Sequence, residues 1–174
     1  MSMPTAKLSV WAGDRSACIR IAGRANFASS VDFKAVVDEL MQRGCRCLVL
    51  DLSECALMDS TFLGVLAGFG LKLSGSNGDQ GPHGIELFNP NPRVTELLET
   101  MGVLHLFTTT QGSFNPPGES QPIEHTTATP DKAEVSRTCM EAHQTLMDIS
   151  PANVAKFRDV TQFLADSLKK AKPE

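Results

Sequence analysis

The chain has 174 residues, 41% of them hydrophobic, and a formal net charge of −4. That is enough for one domain of ordinary size with a real core, plus an extension. The acidic balance, the lack of Tyr and the single Trp11 exclude a basic nucleic-acid surface with interleaved aromatics.

The N-terminus, MSMPTAKLSV, holds no apolar stretch long enough for a signal peptide. The five cysteines (Cys18, Cys45, Cys47, Cys55 and Cys139) are odd in number and scattered. They make no disulfide framework, and Cys45-x-Cys47 lacks a second pair at zinc-site spacing. Both features point to a reducing cytoplasm.

Leu8–Trp11 alternates as a first strand, ended by Gly13-Asp14-Arg15. A short hairpin turn leads to a second strand over Ala17–Ala22, and Gly23–Phe27 is a loop. Ser29 or Ser30 can cap a helix to about Arg43, with Phe33, Val36, Val37, Leu40 and Met41 on its buried side and Gly44 as its stop. Leu48-Val49-Leu50 is a continuous apolar run, as in a strand covered on both faces.

The next stretch organises the chain: a strand end at Asp51, a polar turn Met58-Asp59-Ser60-Thr61, and a helix. Asp59 or Ser60 can serve as N-cap. Phe62, Leu66, Phe69 and Leu73 make an apolar face. Gly64, Gly68 and Gly70 each cost about 1 kcal/mol against Ala in a helix, so something must approach closely there. The apolar run 62–71 is far short of the roughly 20 residues of a membrane span. A Ser at a helix start is most simply a cap. It is also a good phosphoacceptor, because a phosphate there meets free N–H groups and the positive end of the helix dipole.

Residues 74–82 (SGSNGDQGP) read as a loop, with no phosphate-cradle pattern. Gly84–Phe88 is a fourth strand. Asn91 caps a helix that starts at Pro92, carries Val94, Leu97, Leu98 and Met101, and ends at Gly102. Leu104–Thr109 is a short last strand. Strands alternating with helices after a first hairpin give an α/β fold with a mixed sheet of about four or five strands.

Two segments carry a resemblance. LDLSECALMDSTFLGVL resembles the signature of STAS domains of the anti-sigma factor antagonist family, in which a strand ends in D-L-S and M-D-S-[ST]-x-L-G opens a helix. FNPNPRVTELLETMGVLHLF is similar to the closing segment of the same domains. Phe62 departs from the Gly that many members carry at that position. The resemblance covers about residues 5–110 and implies a STAS-like fold. It implies a non-enzymatic regulator that binds an anti-sigma factor, itself a serine kinase of the GHKL ATPase type. Phosphorylation at Ser60, with Thr61 as the alternative, switches it off, and a phosphatase resets it. Asp59, Ser60, Thr61, Phe62, Leu63 and Gly64 would face the partner. The resemblance equally allows a scaffold or small-ligand sensor in which Ser60 is only a cap.

Beyond a STAS-like domain over 5–112, the stretch 113–129 is rich in Pro, Gly, Ser and Thr and reads as a linker. A helical hairpin extension over 130–172 follows. Its first helix is capped by Thr129 or an earlier Thr, with a stripe of Val135, Cys139, Ala142, Leu146 and Ile149. Its second opens at Ser150-Pro151, with Val154, Phe157, Val160 or Thr161, Leu164 and Leu168. These faces pack on the sheet domain or on each other; dimerisation or partner docking is the alternative. None of His83, His105, His125 and His143 sits at metal-ligand spacing. No G-x-S-x-G elbow surrounds Ser60. No catalytic residue, metal or cofactor is therefore expected, and no direct nucleic-acid or membrane contact.

Overall fold

A computed structural model describes residues 6–13, 15–74, 84–112, 123–125 and 131–171. The strands are β1 (Lys7–Ala12), β2 (Ser16–Ala25), β3 (Cys47–Asp51), β4 (Cys55–Met58), β5 (Gly84–Phe88), β6 (Phe107–Thr110) and β7 (Ile123–His125). The helices are α1 (Phe27–Gln42), α2 (Ser60–Ser74), α3 (Pro92–Thr100), α4 (Lys132–Ile149) and α5 (Ala152–Ala171). Among the described residues six strands line up as β6-β5-β3-β2-β1-β7, and β4 pairs with β2 off that line. β1 is antiparallel to both neighbours; the other pairings are parallel. This is the mixed α/β sheet with packed helices and a C-terminal helical extension expected from the sequence.

Register explains the core. Val10, Ile19, Leu50 and Leu87 lie side by side across four strands, as do Ala17, Leu48 and Ile85. All are buried, and with Phe33, Phe62, Leu66 and Leu98 they make the central cluster. The opposite face is only partly covered. Val49 is half-buried, so β3 alternates instead of being enclosed on both sides. On this face Arg20 donates to the buried Asp51 at 2.8 Å and lies over the Trp11 ring. Burial alone would raise the Asp51 carboxyl; hydrogen bonds from Ser53 and Arg20 outweigh it and hold it below its ordinary value.

Several details depart from the sequence reading. β4 and β7 were not anticipated, and β7 lies inside the expected linker. Residues 104–106 form a 3-10 turn before β6. Asn26, not Ser29 or Ser30, caps α1; Ser29 closes the capping box by accepting from the Asn26 N–H. Asp131 caps α4, while Thr129 and the loop residues 75–83 lie outside the described residues. On α5, Asn153 and Thr161 turn inward, whereas Val154 and Val160 face solvent. Asn153 donates to the carbonyls of Met101 and Leu146, joining α5 to the ends of α3 and α4. The α3 expectations hold: Asn91 caps it through the Val94 N–H, Pro92 is its first residue and Gly102 follows at φ 71°.

Candidate functional site: the start of α2

The turn before α2 is held from three sides. The Asp59 N–H bonds the Ala25 carbonyl at the end of β2. Asp59 Oδ1 accepts from the Phe62 N–H at 2.9 Å, which makes Asp59 the N-cap of α2. Its Oδ2 accepts from the Phe27 N–H at 2.7 Å, at the first residue of α1. One carboxylate thus fastens two helix starts. Burial pushes this carboxyl above its ordinary value, against the N–H groups of Phe62, Phe27 and Thr61 and the nearby His143.

Because Asp59 does the capping, the Ser60 hydroxyl is not needed for it. Its Oγ lies 2.8 Å from His143 Nε2 on α4. The tautomer follows from the network. His143 Nδ1 is 2.7 Å from the Cys139 carbonyl, which can only accept, so Nδ1 carries the proton. Burial holds the imidazole below its ordinary value, against the Cys139 carbonyl and the Asp59 charge. Neutral His143 therefore accepts the Ser60 O–H at Nε2. Phe157 of α5 backs the ring, with centroids 4.7 Å apart.

The neighbouring positions are covered too. Thr61 is 4% exposed, and its Oγ1 lies 3.1 Å from Cys139 Sγ. Burial pushes the Cys139 thiol up, so this is a hydroxyl–thiol contact. Gly64 faces Ala142: a Cβ at Gly64 would lie 2.4 Å from the Ala142 carbonyl oxygen. A Cβ at Gly70 would lie 3.1 Å from the Phe107 ring and 3.3 Å from Leu106, a milder squeeze, whereas one at Gly68 would lie 3.9 Å from Thr145. These close approaches account for Gly64 and Gly70 inside a helix; among the described residues the expected close neighbour at Gly68 is absent. Phe62 and Leu63 are fully buried in the core, so in this conformation they offer a partner nothing.

Of the expected site residues, Asp59 and Ser60 are half-buried, and Thr61 and Gly64 are covered by α4. The free N–H groups expected to receive a phosphate are also taken, since Asp59 holds those of Thr61 and Phe62. Sequence reasoning missed His143. It sits 83 residues from Ser60, and its only local signal is a place beside Ala142 on the apolar stripe of α4. His105 is exposed; His83 and the side chain of His125 lie outside the described residues. Ser60 and His143 do not amount to the set serine chemistry uses. The orienting partner of Nδ1 is a backbone carbonyl, and both Asp59 oxygens are committed to backbone N–H groups.

A mixed sheet of this order, with an Asp59-capped helix opening on Ser60 after β4, defines a small α/β domain. The chain belongs to the STAS-domain family: the family model described as "Mlab, STAS domain" matches residues 9–108, more than half of its length. The fold is similar to that of the anti-sigma factor antagonist SpoIIAA in its unphosphorylated form, at 15% identity over 59% of this chain and 87% of that one, with a TM-score of 0.51. A putative anti-sigma factor antagonist from Thermotoga maritima matches at 20% identity over 61% of this chain and 86% of that one, TM-score 0.52. An anti-sigma factor antagonist from Mycobacterium paratuberculosis matches at 19% identity over 63% and 89%, TM-score 0.52. At these identities the likeness is one of fold. A comparison with curated proteins finds no match. Among the described residues no helix is long and apolar enough to cross a membrane.

Proposed function

We propose that this protein is a cytoplasmic regulator of the anti-sigma factor antagonist type, with residues 5–112 as its binding domain, 113–129 as a connecting stretch that also gives the sheet β7, and 130–172 as an accessory hairpin. Its partner is an anti-sigma factor with serine-kinase activity and a GHKL-type ATPase fold. Unmodified protein binds that partner and frees the sigma factor; phosphorylation of Ser60 ends the binding, and a phosphatase restores it. One observation carries the reading: Asp59 caps α2, which leaves the Ser60 hydroxyl at the helix mouth without a capping duty. A phosphate there adds roughly −1.5 to −2 charge to one surface point, beside the Asp59 carboxylate. Every 1.4 kcal/mol of like-charge cost is about tenfold in affinity, so one modification can switch binding without unfolding the domain.

The test is to incubate the full chain with a serine-kinase anti-sigma factor and ATP and to map the phosphosite by mass spectrometry. Modification at Ser60, its loss in Ser60→Ala with binding retained, and failure of Ser60→Asp to bind are the expected results. Modification elsewhere, or full binding by Ser60→Asp, counts against the reading. A second reading draws on the Ser60–His143 bond itself: Ser60 is then a structural cross-link to α4 in a scaffold without a switch. In that case Ser60→Ala loosens α4 and no kinase modifies the site.

A further inference from the structure

The start of α2 is covered by the chain's own α4, at the positions the proposed switch would need. We propose that the α4–α5 hairpin is a displaceable latch over Ser60, closed only while that hydroxyl is unmodified. The proposal rests on the reading of Ser60 as the modified residue. The closed hairpin holds back partner and kinase alike, and the unmodified chain binds through its open fraction. A phosphate that frees α4 also places on the uncovered helix start the charge that turns the partner away.

Three contacts define the closed latch: Ser60 Oγ to His143 Nε2, Thr61 Oγ1 to Cys139 Sγ, and Gly64 against the Ala142 backbone. They fall within about one turn of α4, residues 139–143, and within the first turn or so of α2, residues 60–64. Near Ser60 the seam is built from small and polar groups, while Ala142 and Leu146 of α4 reach the hydrophobic core. Beside the tight contact at Gly64 the seam opens into a surface groove of about 140 Å³ whose lining includes Gly64, Gly68, Thr138, Ala142 and Thr145. Such a groove lets water reach part of the seam, so this stretch is less tightly held than a close-packed core. The family match ends at residue 108, so the hairpin lies outside the part shared with the family.

Phosphorylation is incompatible with the closed state. A phosphoryl group on Oγ must occupy the space in which Nε2 lies at 2.8 Å, and it removes the proton that Nε2 accepts. Rotating Oγ toward solvent relieves the clash, but then a buried ring nitrogen loses its donor, which is itself costly. Either route weakens the hold of α4. Any protein that docks on Thr61 and Gly64 must likewise move α4 first, so its apparent affinity falls by the fraction of molecules that are open.

The test uses the full chain with phosphoserine installed biosynthetically at position 60, so that it needs no kinase. Hydrogen exchange is followed in α4 and in β3, together with iodoacetamide labelling of Cys139 read by peptide mass spectrometry. The expected result is a rise of tenfold or more in α4 exchange and Cys139 labelling, with β3 still protected. Unchanged or slower α4 exchange, as an imidazolium–phosphate ion pair would give, overturns the proposal. Gly64→Ala opens the latch by a separate route, because its Cβ meets the Ala142 backbone; the same rise is expected with Ser60 unmodified. His143→Ala provides a second such variant. If both leave α4 as protected as the wild type, α4 is a permanent part of the core and the latch is refuted. Failure of kinase mapping at Ser60 would instead refute the switch, whatever the latch does.

Discussion

Asp59→Ala separates architecture from chemistry at the start of α2. The substitution strips the acceptor from the Phe62 N–H, which is partly buried, and from the Phe27 N–H, which is exposed. Losing an N-cap costs about 0.5–2 kcal/mol. Water can replace the carboxylate at Phe27 but less readily at Phe62, so the two together come to about 2 kcal/mol. With a urea slope of about 2 kcal/mol per molar, the midpoint falls by roughly 1 M. Asp59→Asn keeps the acceptor for Phe62 but turns an N–H toward Phe27, or the reverse. It also removes a charge that burial disfavours, the cause that pushes this carboxyl above its ordinary value. Its loss is expected to be at most half that of Asp59→Ala. The assay is urea unfolding followed by circular dichroism at neutral pH. A midpoint for Asp59→Ala within 0.2 M of wild type, or an Asn variant as damaged as the Ala variant, would refute the view that this carboxylate clamps two helix starts.

Two further outcomes follow from the α4 seam. Leu146 is fully buried against the core, and Leu146→Ala is expected to cost about 3 kcal/mol. Read by hydrogen exchange, that is roughly a hundredfold loss of protection in α4; a change of less than threefold would mean that Leu146 does not anchor the helix. His143, held below its ordinary value by burial, stays neutral when the chain is closed. The open chain binds the proton more readily, so the His143 contribution is complete well above its ordinary pKa. It is lost as pH falls below that value toward the lowered one. The wild-type urea midpoint should therefore drop between pH 7.5 and 5.5 more than that of His143→Gln; equal slopes would remove His143 as the cause.

Much of the fold could be read from local pattern. α3 was legible because Asn91-Pro92 and Gly102 punctuate it at both ends. α2 was legible because its apolar spacing is long and regular, and Gly64 and Gly70 correctly announced close neighbours without identifying them. β4 was missed because four residues between Glu54 and Asp59 are too few for a period to emerge. β7 was missed because three residues in a Pro- and Thr-rich stretch carry no pattern; only pairing with the β1 edge makes them a strand. Ser29-Ser30 drew the capping assignment away from Asn26, which gains its place because α1 begins sooner, at Phe27. The Ser60–His143 contact was out of reach: it depends on how α4 docks, and no local rule relates residues that far apart. The apolar stripe of α5 was displaced by one position at Asn153, whose amide is drawn inward by two carbonyls.

The pairing of β7 with β1 gives the hairpin a short leash. Only five residues, 126–130, lie between His125 and Asp131, the cap of α4. Fully stretched, they let Asp131 stray roughly 20 Å from the sheet edge. A detached α4 thus remains in the neighbourhood of α2 at an effective concentration of the millimolar order. Rebinding is then a local search by a captive helix, and an outside competitor must outbid a rival that never diffuses away.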